Sequence, residues 1–179
     1  MSSSSGILIA GHAEQPVALR LPMPTLRTDV LDIYIVRRAT LGLEFLQLHR
    51  THDPLAGTWQ PIMGHIEEGE ATIKAMWREL WEETGLLADD SAILNAWGLE
   101  QVHPLYLAKL DCIMLSPRFL IEVTAAWKPT LNEEHDQYRW VQEAKIDDMF
   151  LWPGQKLALR EAASVMRGDA TEPLLGLPR

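Results

Sequence analysis

At 179 residues, with 47% apolar and 23% charged side chains, the chain has the size and composition of one globular domain with its own core. A formal net charge of −9 works against general adhesion to nucleic acid or anionic membranes, and no apolar run is long enough to cross a bilayer. Cys112 is the only cysteine, which rules out an internal disulfide and a thiolate zinc site and suits a reducing cytoplasm, the expected location.

The opening MSSSSGILIAGHAEQ lacks a basic segment ahead of its apolar patch and reads as a tail or edge segment rather than a secretory leader. Pro16, Pro22 and Pro24 keep the chain extended as far as Arg27. VLDIYIVRR, from Val30 to Arg38, alternates Leu31, Ile33 and Ile35 and reads as a strand; LEFLQLHR, from Leu43 to Arg50, reads as its neighbour across a turn at Gly42. THDPLAG is a loop. ILNAWGLEQV, YLAKLDCIML and RFLIEVTAAW each read as a strand, KPTLNEEHD as a polar loop, and QYRWV as a short strand. From Gly154 to Arg167 the composition favours a helix, with Gly168 as its stop. Strands on both sides of one central helix, with a second helix at the end, suggest a mixed sheet covered on both faces.

The central helix is expected over Thr72 to Thr84, within GHIEEGEATIKAMWRELWEETGL. On a helical wheel Ile73, Trp77, Leu80, Trp81 and Thr84 form the expected core stripe, while Glu79, Glu82 and Glu83 share an arc of roughly a third of a turn on the other side. That acidic arc is poorly placed for stability. Glu79 repels Glu82 and Glu83 at i+3 and i+4, and the last turns of a helix disfavour negative charge. A divalent cation reverses the sign of both effects, and Mg²⁺ prefers carboxylate, water and phosphate oxygens. Gly85 is placed to cap the helix in the left-handed conformation. Gly64 and Gly69 bracket a tight loop before it, from which the Gly64 carbonyl could reach a metal.

Gly64, five residues, Glu70, seven residues, Arg78-Glu79-Leu80, one residue, Glu82-Glu83, one residue and Gly85-Leu86 together resemble the complete Nudix box. TWQPIMGHIEEGE and EEHDQYRW followed by LWPGQKLALREA are similar to the dihydroneopterin triphosphate and dATP diphosphatase branch. The resemblance implies an α/β/α sandwich with a mixed β-sheet and a loop-helix-loop catalytic motif, over residues 27–168, between an N-terminal extension (1–26) and a C-terminal tail (169–179). It implies Mg²⁺-dependent (or Mn²⁺-dependent) hydrolysis of a phosphoanhydride in a nucleoside or pterin triphosphate or another nucleoside diphosphate derivative. The metal ligands would be Glu79, Glu82, Glu83 and the Gly64 carbonyl, oriented by Arg78 and Glu70. Met63 and His65 stand where many nucleotide-cleaning members have Gly and Lys, which weakens a claim of oxidised-guanine specificity.

Breaking a phosphoanhydride needs a positioned water and a group to take its proton. Glu134 in the NEEHD loop is the candidate base outside the box, with Glu133 beside it and Glu82 as competitor. Trp59 and His135 are the candidate substrate contacts, Trp152 a further one. Arg37, Arg38 and Arg50 could steer phosphate or simply be solvated. The partner is a small phosphorylated substrate, with no stable nucleic-acid binding, no membrane and a homodimer in keeping with the family. Two alternatives stand: a catalytically silent nucleotide-sensing module, which would normally lose box glutamates that this chain keeps, and an isopentenyl-type isomerase, whose catalytic cysteine Cys112 matches poorly in its apolar run.

Overall fold

The run Val30–Ala39 becomes the central strand of a seven-stranded mixed sheet in the computed structural model, which describes residues 23–169 and 175–177. In chain order the strands are β1 (Thr25–Arg27), β2 (Val30–Ala39), β3 (Gly42–Arg50), β4 (Trp59–Gln60) and β5 (Ile62–His65). Helix α1 (Thr72–Thr84) follows, then β6 (Ile93–Gly98), β7 (Leu105–Leu107), β8 (Cys112–Met114), β9 (Arg118–Val123) and β10 (His135–Gln142). A 3₁₀ turn (Glu143–Lys145) leads into α2 (Ile146–Met149) and α3 (Pro153–Arg167). The main sheet runs β10-β3-β2-β9-β6, with β4 paired to β3 and β5 to β2. Only β2 and β9 pair in parallel within it, in register Asp32 with Arg118 and Tyr34 with Leu120.

Alternation along β2 decides the two layers. Leu31, Ile33 and Ile35 face one side and pack with Leu46, Leu48 and Ile121 against Ala75, Met76 and Leu80 of α1. Tyr34 and Val36 face the other and pack with Phe45 and Leu120 against Ala158, Leu159 and Ala162 of α3. A strand with a helix on each face is buried along nearly its whole length, and β2 is. This is the α/β/α sandwich that the resemblance implied. Within it Asp32 and Arg118, both 6% exposed, form an ion pair at 3.4 Å. Among the described residues no helix is long and apolar enough to cross a membrane.

Three elements differ from the sequence reading. YLAKLDCIML is not one strand but the end of β7, a turn and β8. Leu110 N–H donates to the Leu107 carbonyl, and Asp111 takes a positive φ of 45° that an extended strand does not tolerate. From Pro24 to Arg27 the chain is extended, as expected, and Thr25–Arg27 forms β1, pairing parallel with β8; residues 1–22 lie outside those described. Near the C-terminus, Gly98 N–H donates to the Leu175 carbonyl and Leu177 N–H to that of Ala96. This segment of the expected tail therefore covers the edge of β6.

The third difference is the inward face of α1. Its buried residues are Ala75, Met76, Leu80, Glu83 and Thr84, whereas Ile73 and Trp81 of the expected core stripe are 37% and 51% exposed. Leu80 and Thr84 of that stripe are buried and Trp77 packs against the core, but the inward face is shifted so that Glu83 turns in while Trp81 and Glu82 stay exposed. The cause lies at Gly64, described next. Gly85 and Gly168 end α1 and α3 with φ of 71° and 81°, the left-handed caps expected of them.

Candidate active site

The chain leaves β5 directly beneath α1. A Cβ at position 64 would stand 2.2 Å from Cγ and 2.4 Å from Cδ of Glu79, so a glycine there is what lets the helix approach with Glu79 facing in. His65 N–H then donates to Glu79 Oε1 at 2.9 Å, which satisfies a carboxylate pressed against backbone.

Arg78 organises the remaining carboxylates. Its Nε and Nη2 clamp Glu70 at 3.0 and 2.9 Å, and its Nη1 reaches Glu79 at 2.9 Å and Glu82 at 3.1 Å. The second Nη2 hydrogen goes to the His65 carbonyl at 2.8 Å. All five guanidinium N–H groups are thereby used, a pattern that a lysine ammonium does not reproduce. The hydrogen bond from Arg78 holds the Glu70 carboxyl below its usual range, and the same bond raises the guanidinium above its own. The like-charge spacing that seemed costly on the wheel is compensated from within the box.

Glu83 is not compensated in this way. It is 4% exposed, its Oε2 is buried without a hydrogen-bond partner, and the nearest cationic candidate, His135 Nδ1, stands at 3.7 Å and is likewise unpartnered. Burial pushes the Glu83 carboxyl well above its ordinary range, reinforced by the charges of Glu79, Glu134 and Glu82 and opposed by Arg50. Burial also lowers the His135 imidazole to about 4, so near neutral pH it is uncharged. A buried carboxylate among other carboxylates is the surrounding that a hard divalent cation satisfies, and oxygen donors are its preferred ligands. The donor chemistry therefore fits Mg²⁺ or Mn²⁺. Among the described residues no group of three or more His, Cys, Asp or Glu side chains is already arranged as a metal shell.

The loop before β10 closes the site from the other side. Glu134 Oε2 accepts from Arg50 Nη1 at 3.0 Å, its carbonyl accepts from Thr51 N–H, and Thr130 N–H donates to the Thr84 carbonyl at the end of α1. Thr130–Glu134 is thus tied both to the helix and to the end of β3. Glu82, Glu133 and Glu134 line one open groove there together with Trp81, Gly85, Thr130, Leu131 and Asn132.

The other candidates are distributed less simply. His135 is 5% exposed and packs beside Glu83, so the structure gives it a place behind the carboxylates rather than at a substrate surface. Trp59 is half-buried on β4, with the Arg139 guanidinium 4.1 Å over its ring and His49 tilted against it at 5.0 Å. Trp152 precedes α3. Arg37 pairs with Glu44 and stacks on Trp140, and Arg38 bonds Glu122 and the Met166 carbonyl; both are used within the fold. Arg50 belongs to the site through Glu134, and no local signal distinguished it from the other two. Cys112 is buried, as its apolar run implied.

A family model described as NUDIX domain matches residues 27–161. The chain is similar to the RNA pyrophosphohydrolase of Haemophilus ducreyi, 35% identical over 97 residues that cover 47% of this chain and 49% of that one. The chain spans about half the length, or less, of the curated relatives it matches. Among solved structures, an Ap4A hydrolase from C. elegans superposes with a TM-score of 0.64 at 20% identity, over 79% of this chain and 99% of that one. The dihydroneopterin triphosphate pyrophosphohydrolase of E. coli superposes with a TM-score of 0.61 at 17% identity, over 82% of this chain and 99% of that one. At these identities the likeness is one of fold.

Proposed function

The chain belongs to the Nudix family, and on that premise we propose that it is a divalent-metal-dependent pyrophosphohydrolase. Its substrate is a small phosphorylated molecule, a nucleoside or pterin triphosphate or another nucleoside diphosphate derivative, cleaved by attack of water on phosphorus. The observation that supports this reading best is the fixed array around Arg78. It holds Glu70, Glu79 and Glu82 by charge-assisted bonds and leaves Glu83 buried without a counter-charge.

Mg²⁺ or Mn²⁺, held by Glu79, Glu82, Glu83 and the Gly64 carbonyl, would neutralise phosphate charge and lower the pKa of a bound water. Glu70 acts through Arg78, fixing the guanidinium that in turn fixes the faces of Glu79 and Glu82. Glu134, held by Arg50 at the rim of the groove, is the base that takes the proton of the attacking water. Glu133 lines the same groove without that pairing.

The test is a Mg²⁺-dependent hydrolysis screen over nucleoside triphosphates, dihydroneopterin triphosphate, dinucleoside polyphosphates and nucleotide sugars, with both products identified and Glu82→Gln as control. Turnover of at least one class, abolished in the control, is expected. Metal and nucleotide binding without turnover of any class would favour the sensing module instead.

A further inference from the structure

Trp81 is a box residue whose placement neither the fold nor the metal reading uses. It is a helical tryptophan, 51% exposed, between buried Leu80 and the box residue Glu82. An exposed leucine on a helix would need no explanation. A half-exposed indole on the wall of a groove that also holds Glu82 and Glu134 does. We propose that Trp81 is the stacking platform for a planar heterocycle of the substrate, an amino-bearing purine or pterin ring, and that the groove between α1 and the Thr130–Glu134 loop is the ring's subsite.

Shape, chemistry and rigidity each support this. The open groove has a volume of about 580 Å³, within the range of small-molecule sites. Its lining is graded: Trp81 and Leu131 offer apolar faces, Thr130 and Asn132 short polar groups, and Glu82, Glu133 and Glu134 the acidic side. Asn132 spends its side-chain oxygen on Glu134 N–H at 3.1 Å, which leaves its amide N–H₂ as a donor for a ring nitrogen or carbonyl. Glu133, the groove carboxylate to which neither the metal nor the attacking water is assigned, is an acceptor for an exocyclic amino group, and the phosphate end belongs at the metal ligands. Both walls are pinned. Thr130 bonds the last turn of α1, a Cβ at Gly85 would come within 3.2 Å of Thr130, and Thr51 Oγ1 bonds the Glu133 and Glu134 carbonyls. Trp59, the other candidate, already carries Arg139 and His49 against its ring, whereas the Trp81 ring is open.

This inference rests on the pyrophosphohydrolase reading for the position of the phosphates, and binding separates the two. Calorimetry with the full chain and Mg²⁺ would measure a non-hydrolysable nucleoside triphosphate and, separately, inorganic tripolyphosphate, against wild type, Trp81→Ala and Trp81→Phe. Loss of one stacked ring predicts that Trp81→Ala binds the nucleotide about tenfold more weakly or worse, while Trp81→Phe stays within about threefold. Tripolyphosphate, which has no ring, should bind all three proteins alike. Equal nucleotide affinity for wild type and Trp81→Ala overturns the subsite, as does a Trp81→Ala loss equally large for tripolyphosphate. A wild type that binds tripolyphosphate as tightly as the nucleotide overturns the ring subsite and leaves the phosphate site standing. One that binds neither overturns both.

Discussion

Replacing Gly64 with alanine places a methyl group 2.2 Å from Glu79 Cγ and 2.9 Å from its Cβ, closer than any real contact. Backbone lies on one side and a helix on the other, so Glu79 must swing away or α1 must shift. If Glu79 swings, it gives up the bond from His65 N–H and the bond from Arg78 Nη1, both at 2.9 Å. Charge-assisted bonds of this kind contribute about 1.5–3 kcal/mol each, and part is recovered by solvation of the freed carboxylate. If the helix shifts, overpacking costs about 1–3 kcal/mol. The two routes together bracket about 1–3 kcal/mol, or a fall in Tm of about 2–12 °C for a chain of this size. Activity should suffer more than stability, because the displaced group is a proposed metal ligand; a loss of about 100-fold or more in kcat is expected. Gly98→Ala is the control, since a Cβ there meets nothing within 4 Å and its backbone has no positive φ. Thermal unfolding and steady-state turnover of both variants provide the comparison. A Gly64→Ala protein that melts and turns over like Gly98→Ala would refute the close approach of β5 to Glu79.

Arg78→Lys should weaken Mn²⁺ binding and turnover by about 10- to 100-fold, because no ammonium spans Glu70, Glu79, Glu82 and the His65 carbonyl at once; near-wild-type values would remove its orienting role. Glu134→Gln should lower kcat by about 100-fold or more while Glu133→Gln stays within a few-fold, and equal effects of the two would move the base elsewhere. Burial raises the Asp32 carboxyl to about 6, the nearby Arg118 opposing it only in part. The folded chain then holds that proton more tightly than the unfolded one, so the group's stabilisation is full below about 4 and is lost as pH rises to about 6. The loss amounts to about 3 kcal/mol. Urea unfolding of wild type and Asp32→Asn should show the stability difference moving by that order against the wild type between pH 4 and 7; a constant difference would contradict the burial.

Sequence alone located the helix, its caps, the two-layered sheet and the glutamates of the box, because those depend on local periodicity and on spacing within one segment. It misassigned Trp81 because a wheel assumes that the most apolar arc faces inward. Here Gly64 draws the Glu79 edge in instead, and that contact is made between β5 and α1 rather than within the helix. The break in YLAKLDCIML turned on the positive φ at Asp111, which residue types suggest only weakly. Arg50 could not be told from Arg37 and Arg38, since all three sit in strands and only the pairing of β3 with β10 brings one of them to Glu134. What lay beyond the sequence was the set of contacts between segments distant in the chain.

A divalent-cation site on the Glu79, Glu82 and Glu83 edge of α1 is read out by Mn²⁺ titration of wild type, Glu79→Gln, Glu82→Gln and Glu83→Gln. Each variant should bind at least about tenfold more weakly than wild type. Glu83→Gln in chelator should unfold at no lower temperature than wild type, since it removes a buried carboxyl from among three others. Three variants that bind Mn²⁺ as wild type does would place the cation elsewhere.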